Sequence, residues 1–128
     1  MKLTNEELKK KIKNGVVVID DNLEVDGHID IEADLIVYGD IIARNILARN
    51  ILAWDITARD ITACNIKACN IKAWDISAID ITVRRITAND ISYFAVCFAY
   101  RNISCKSIKG MSEKSKHFVL DGKIEVQE

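Results

Sequence analysis

From Ala43 to Thr82 the chain reads ARNIL ARNIL AWDIT ARDIT ACNIK ACNIK AWDIS AIDIT, a five-residue unit repeated without a gap. Alanine opens each unit, Asp or Asn stands third and isoleucine fourth. The isoleucines continue outward in both directions, at every fifth residue from Ile31 to Ile91, and Val96 extends the series. A helix cannot use such a pattern. At 100° per residue, five residues rotate by about 500° and scatter the isoleucines around the axis. A short strand followed by a bend can use it, because residues two apart in a strand point the same way. Isoleucine and the alanine two residues later then face inward, and the residue between them faces out. Asp or Asn before the isoleucine falls at the bend, where its side chain can satisfy backbone groups. The repeat therefore predicts an all-β solenoid with a thin apolar core.

The number of sides per turn is sought in the outward residues. Those before the isoleucines come in pairs, Asn45/Asn50, Asp55/Asp60, Asn65/Asn70 and Asp75/Asp80, a pattern that recurs every 20 residues. Trp54, Trp74 and Phe94 share that spacing. If like stacks on like, as ladders in stacked sheets prefer, four sides of five residues close one turn. That register makes an outward aromatic stripe of Trp54, Trp74 and Phe94. It also separates a basic flank (Arg44, Arg49, Lys67, Lys72, Arg84, Arg85) from one that carries most of the Asp together with the tryptophans.

The unit resembles that of the pentapeptide-repeat family, over about residues 31–96. The resemblance implies a right-handed, four-sided β-helix of about 20 residues per turn. It is similar also to small bacterial proteins of unknown role that carry runs of D-I-x-A, with a C-terminal stretch like Tyr93–Tyr100. One position departs from the family. The small inward residue normally lies two before the large one, where this chain has Arg44, Arg49, Trp54, Arg59 and Cys64. Burying unpaired arginines is prohibitive, so the alanine after the isoleucine takes the inward place. Handedness and turn geometry stay open at this stage.

Both ends depart from the repeat. Thr4 with Glu7 forms a capping box, and Lys13-Asn14-Gly15 is a stop signal, so a short helix over about 5–13 is expected to fold across the first rung. Val16–Ile19 and Leu23–Val25 read as the first, irregular strands. At the far end Phe98, Ile103 and Ile108 step by five but out of phase with Val96. The aromatic residues there (Tyr93, Phe94, Phe98, Tyr100) have two readings, a plug for the core or an apolar patch for association. Phe118 to Val126, with Asp121-Gly122 between apolar runs, reads as a hairpin. The expected organisation is a cap over 1–22, the solenoid over 23–110 and a hairpin cap over 111–128.

Few functions are indicated. The 128 residues carry a formal net charge of −1, with 4 Cys and no Pro. No CxxC pair or metal-spaced set occurs, so the cysteines read as reduced thiols and no metal or cofactor is expected. No nucleophile–base set or phosphate-cradling glycine loop can be assembled, which argues against an enzyme. Topoisomerase-directed DNA mimicry, which the family resemblance brings up, needs an acidic rod; residues 31–110 hold eight acids against ten bases. A basic flank lacking interleaved aromatics also argues against nucleic acid as a partner. The longest apolar run near the N-terminus is Val16–Ile19, too short for a membrane span or a signal-peptide core. The expectation is a cytoplasmic, self-associating structural or interaction protein, its protein partner unknown, with Trp54, Trp74, Phe94, Tyr93, Phe98 and Tyr100 as candidate surface. The alternative is a nucleic-acid-linked or topoisomerase-directed binding protein.

Overall fold

The computed structural model describes residues 1–126. In chain order the elements are helix α1 (Asn5–Lys9) and strands β1 (Val16–Ile19), β2 (Leu23–Glu24), β3 (His28–Asp30), β4 (Asp34–Val37), β5 (Ile41–Ile42) and β6 (Asn45–Leu47). Then come β7 (Asn50–Leu52), β8 (Asp55–Thr57), β9 (Asp60–Thr62), β10 (Asn65–Lys67) and β11 (Asn70–Lys72). Two long strands, β12 (Asp75–Thr87) and β13 (Asp90–Cys105), run round the corners of the coil, and β14 (Ser107–Gly110), β15 (Lys116–Val119) and β16 (Ile124–Val126) complete it.

Among the described residues the pairings between these strands are parallel, and the register sets the size of the turn. Asn65 lies beside Asn50 and Asp80, Asn70 beside Asp55 and Arg85, and Asp60 beside Asn45 and Asp75. Stacked residues are 15 apart in sequence, so three five-residue sides close one turn. One face stacks β3, β6, β9, the start of β12, the start of β13, and β14. A second carries β1, β4, β7, β10, the middle of β12 and β13, and β15. The third carries β2, β5, β8, β11, the ends of β12 and β13, and β16.

The four-sided turn is thus corrected to a three-sided one. Isoleucine and alanine recur every five residues under either closure, so the core is indifferent to the choice. Only the outward residues discriminate, and there amide side chains bridge successive turns. Asn65 Nδ2 donates to Asn50 Oδ1, and Asn50 Nδ2 to Asp34 Oδ1, each at 2.9 Å. Asn70 Nδ2 donates to Asp55 Oδ1 at 2.9 Å. An amide donates to the carboxylate beneath it, which a column of carboxylates alone cannot do.

The core is the expected stack of isoleucines and alanines. Ile46, Ile51, Ile56, Ile61, Ile66, Ile71 and Ile76 are all buried, as are Ala43, Ala48, Ala53 and Ala58. Each buried isoleucine stabilises the coil by roughly 1.5–3 kcal/mol. The series fails at both ends. Ile36 faces outward beside Val18 and Leu52, while Leu35 and Val37 are buried instead. Ile31 is buried, but in the place of an alanine: Ile29 pairs with Ile46, so Ile31 stands two residues on, level with Ala48.

Val96 is exposed and stands beside Asp80, and Cys97 takes the inward place beside Ile81. Two register shifts in β13 against β12, between Ala78 and Asp80 and between Val83 and Arg85, account for the phase slip. Each adds one residue at a corner, as a β-bulge does.

The N-terminal cap forms as expected, with α1 shorter than the 5–13 span. Thr4 and Glu7 close the capping box, Leu8 is fully buried, and Asn14 and Gly15 carry positive φ at the helix exit. The C-terminal hairpin does not form. β15 and β16 each pair with β13 in parallel and wind a further turn. Asp121-Gly122 is a corner, not a hairpin turn. Gly122 passes so close to the Arg101 carbonyl that a side chain would collide with it, and Asp121 N donates to Tyr100 O at 2.9 Å.

Candidate interaction surfaces

The coil presents three flat faces joined at corners, and the corner residues are those two places before each isoleucine. Backbone hydrogen bonds define three corner columns. One runs Gly39, Trp54, Cys69, Arg84; the next Arg44, Arg59, Trp74, Asn89, Lys106; the last Ala33, Arg49, Cys64, Ile79. Trp54 and Trp74 therefore belong to different corners, and the expected Trp54–Trp74–Phe94 ladder does not exist. Trp54 is followed by Cys69, whose N–H donates to the Trp54 carbonyl at 2.6 Å. Trp74 follows Arg59, whose guanidinium lies 5.0 Å from the indole centroid, an attraction between cation and ring face. The two rings are 62% and 57% exposed.

The expected division into flanks changes with the register. Trp54 and Trp74 mark the two edges of the third face, between β8 and β11. Over three successive turns that face and its corners hold Arg59, Lys72, Arg84 and Arg85, with Asp55 as the only acid. The face carrying β9 has a column of Asp60, Asp75 and Asp90. The aromatic residues thus accompany the bases rather than the acids. In the acidic column the Asp75 carboxyl is pushed above its ordinary range by lost solvation and then by the neighbouring Asp60 and Asp90. Ser107 Oγ donates to Asp90 Oδ1 at 2.6 Å and ends the column.

The four aromatic residues near the break divide. Tyr93 is buried at the level of Ala78, with its hydroxyl bonded to His117 Nδ1. It fills the core beneath the last turn, and burial pushes its phenol up. Phe94 and Tyr100 are exposed. Phe98 lies half-buried on the outer surface, with ring centroids 5.0 Å from Tyr100 and 4.9 Å from Phe118. Phe118 is the member that reading the sequence as a hairpin missed. Its signal was the apolar pair Phe118-Val119, which alternates in and out as a strand of the coil does.

The two ends of the coil differ. At the start, Asn5 Oδ1 accepts the Asp30 N–H at 2.8 Å and Asn5 Nδ2 donates to the Asp30 carbonyl at 3.2 Å, so one side chain satisfies the edge of β3. Leu3 and Met1 pair with Glu24 and satisfy the edge of β2. At the other end β14, β15 and β16 pair with β13 alone among the described residues. Their core residues Ile108, Val119 and Ile124 are only partly buried, and Phe118, Leu120 and Val126 are 47%, 69% and 49% exposed.

All four cysteines are free thiols. Cys64 and Cys69 are exposed on neighbouring corners, while Cys97 and Cys105 lie in the core. Burial pushes the Cys97 thiol up to about 12. Among the described residues no group of three metal-ligating side chains gathers, and no helix is long and apolar enough to cross a membrane. Comparison with protein-family models, with curated proteins and with solved structures returned no match.

Proposed function

We propose that this chain is a non-enzymatic structural or protein-interaction module that associates with copies of itself through its C-terminal end. The observation that carries the reading is the contrast between the ends. A parallel-sheet edge with free N–H and C=O groups is a template for another chain, and solenoids cover such edges when they are to stay apart. This coil covers its first edge with α1, Leu8 and Asn5 and leaves the last turn with Phe118, Leu120 and Val126 in solvent. A cytoplasmic, bacterial setting belongs to the same proposal, as does kinship with pentapeptide-repeat proteins, which rests on the five-residue unit alone.

Light scattering coupled to gel filtration over a wide range of concentration tests the reading. The expected result is a multiple of the monomer mass that falls to one monomer in Phe118→Lys with Leu120→Lys, with the far-ultraviolet β spectrum retained. A wild-type chain that stays monomeric throughout the range would sink it.

A further inference from the structure

We infer that the third face, between the Trp54 and Trp74 corners, is a binding surface for single-stranded nucleic acid. The inference is independent of self-association and rests on the three-sided register. Three consecutive turns bring together Trp54 and Arg59, then Lys72 and Trp74, then Arg84 and Arg85. All six side chains are exposed. The one acid among them, Asp55, is half-buried and has its Oδ1 engaged by Asn70 at 2.9 Å. The patch is therefore positive although the whole chain carries −1. The opposite sign is gathered on the neighbouring face by Asp60, Asp75 and Asp90, so an extended polyanion is attracted to one side of the coil and repelled from the next.

Charge complementarity selects a polyanion, and the tryptophans select its kind. They stand at opposite edges of the face, about five strand residues or ~16 Å apart across it, each with much of its ring in solvent. Surfaces that bind single strands combine a basic track with aromatic platforms on which bases stack. Between the platforms the face is polar: Thr57, Asn70, Lys72 and Thr87 project outward along β8, β11 and β12. A shallow open groove of about 370 Å³ runs beside Trp74, lined by Thr57, Lys72, Thr87 and Lys106 among others. An anionic lipid surface would share the charge term, but it asks for apolar side chains between the tryptophans, and that strip has none. A duplex keeps its bases stacked inside and offers the rings no platform.

The test is fluorescence anisotropy of a labelled oligothymidylate of about 20 nucleotides, titrated with the full chain at about 50 mM salt and upward. Binding with quenching of tryptophan emission is expected, in preference to a duplex of equal length and to phosphatidylserine vesicles. Lys72→Glu with Arg85→Glu should weaken it about 10-fold or more. At about 0.7 per phosphate contact, the same double variant should flatten the salt dependence by about 1.4. Trp54→Ser with Trp74→Ser should weaken binding by a similar factor and leave the salt slope unchanged. Arg49→Glu, on the corner away from this face, should bind as the wild type does. If the double reversal disturbs the β spectrum, Lys72→Gln with Arg85→Gln reads the same slope. The inference is overturned by no anisotropy change at low salt, by equal loss in Arg49→Glu, or by tighter binding to the duplex or the vesicles.

Discussion

The first and last turns of this coil contain the same kind of core and finish it in opposite ways. At the N-terminal end a capped helix lays Leu8 over the isoleucine stack, and the amide of Asn5 copies a strand by bonding both backbone groups of Asp30. At the C-terminal end the core widens to take Tyr93, and the coil then continues into a turn whose edge is bare among the described residues. A five-residue repeat fixes how turns stack but carries no instruction for stopping. Each end needs residues outside the repeat, and among the described residues the first end has a seal.

The sharpest way to break this contrast is to unseal the first end. Leu8→Ala should cost about 2–5 kcal/mol for the cavity it leaves, a fall in melting temperature of order 10 °C. The exposed edge should then permit head-to-tail association, seen as masses beyond the wild-type oligomer. An unchanged melting temperature would show that α1 does not hold the first turn closed. Tyr93→Phe acts on the other end. It removes the hydroxyl bond to His117 on β15, worth about 1 kcal/mol. Faster amide exchange is expected in β14–β16 and not in β1–β5, and uniform protection would argue that the last turn is held some other way.

A smaller effect compares the acidic column with the amide-bridged ones. The Asp75 carboxyl lies above its usual range because of lost solvation and because Asp60 and Asp90 flank it. A group raised on folding favours the fold while protonated, and that contribution is lost as pH rises through the folded value. Asp75→Asn should therefore raise stability at neutral pH, by about 0.5 kcal/mol for an exposed, solvent-screened pair. The gain should vanish near pH 3, below the ordinary carboxylate range. Melting curves at the two pH values decide it; an equal gain at both would exclude charge as the cause.

How much of this was legible follows from which residues feel the turn. Ile46, Ile61 and Ile76 announce an inward column whatever the number of sides, so the solenoid and its core were readable, and so was the Thr4–Glu7 cap. The closure was not. It depends on whether Asp55 prefers Asp75 or Asn70 above it, and whether Trp74 prefers Trp54 or Arg59. Identity in sequence suggested the former in each case, whereas hydrogen bonding and cation–ring attraction give the latter. The same error placed the tryptophans among acids and hid the basic third face. Asp121-Gly122 misled for a different reason: a glycine demanded by the passage of Arg101 has the same appearance in sequence as one demanded by a hairpin turn.

The three-sided register underlies all of these comparisons, and cross-linking tests it directly. In a chain with Cys64→Ser and Cys69→Ser, the two remaining thiols, Cys97 and Cys105, are buried and both pushed up by that burial, and they stay inert. Thr62→Cys with Ser77→Cys places two thiols on stacked residues of β9 and β12, ~4.8 Å apart across the ladder and within disulfide reach. Thr57→Cys with Ser77→Cys places them where a 20-residue turn would stack them. Mass spectrometry after mild oxidation should find the disulfide in the first pair and not in the second; the reverse result would contradict the three-sided coil.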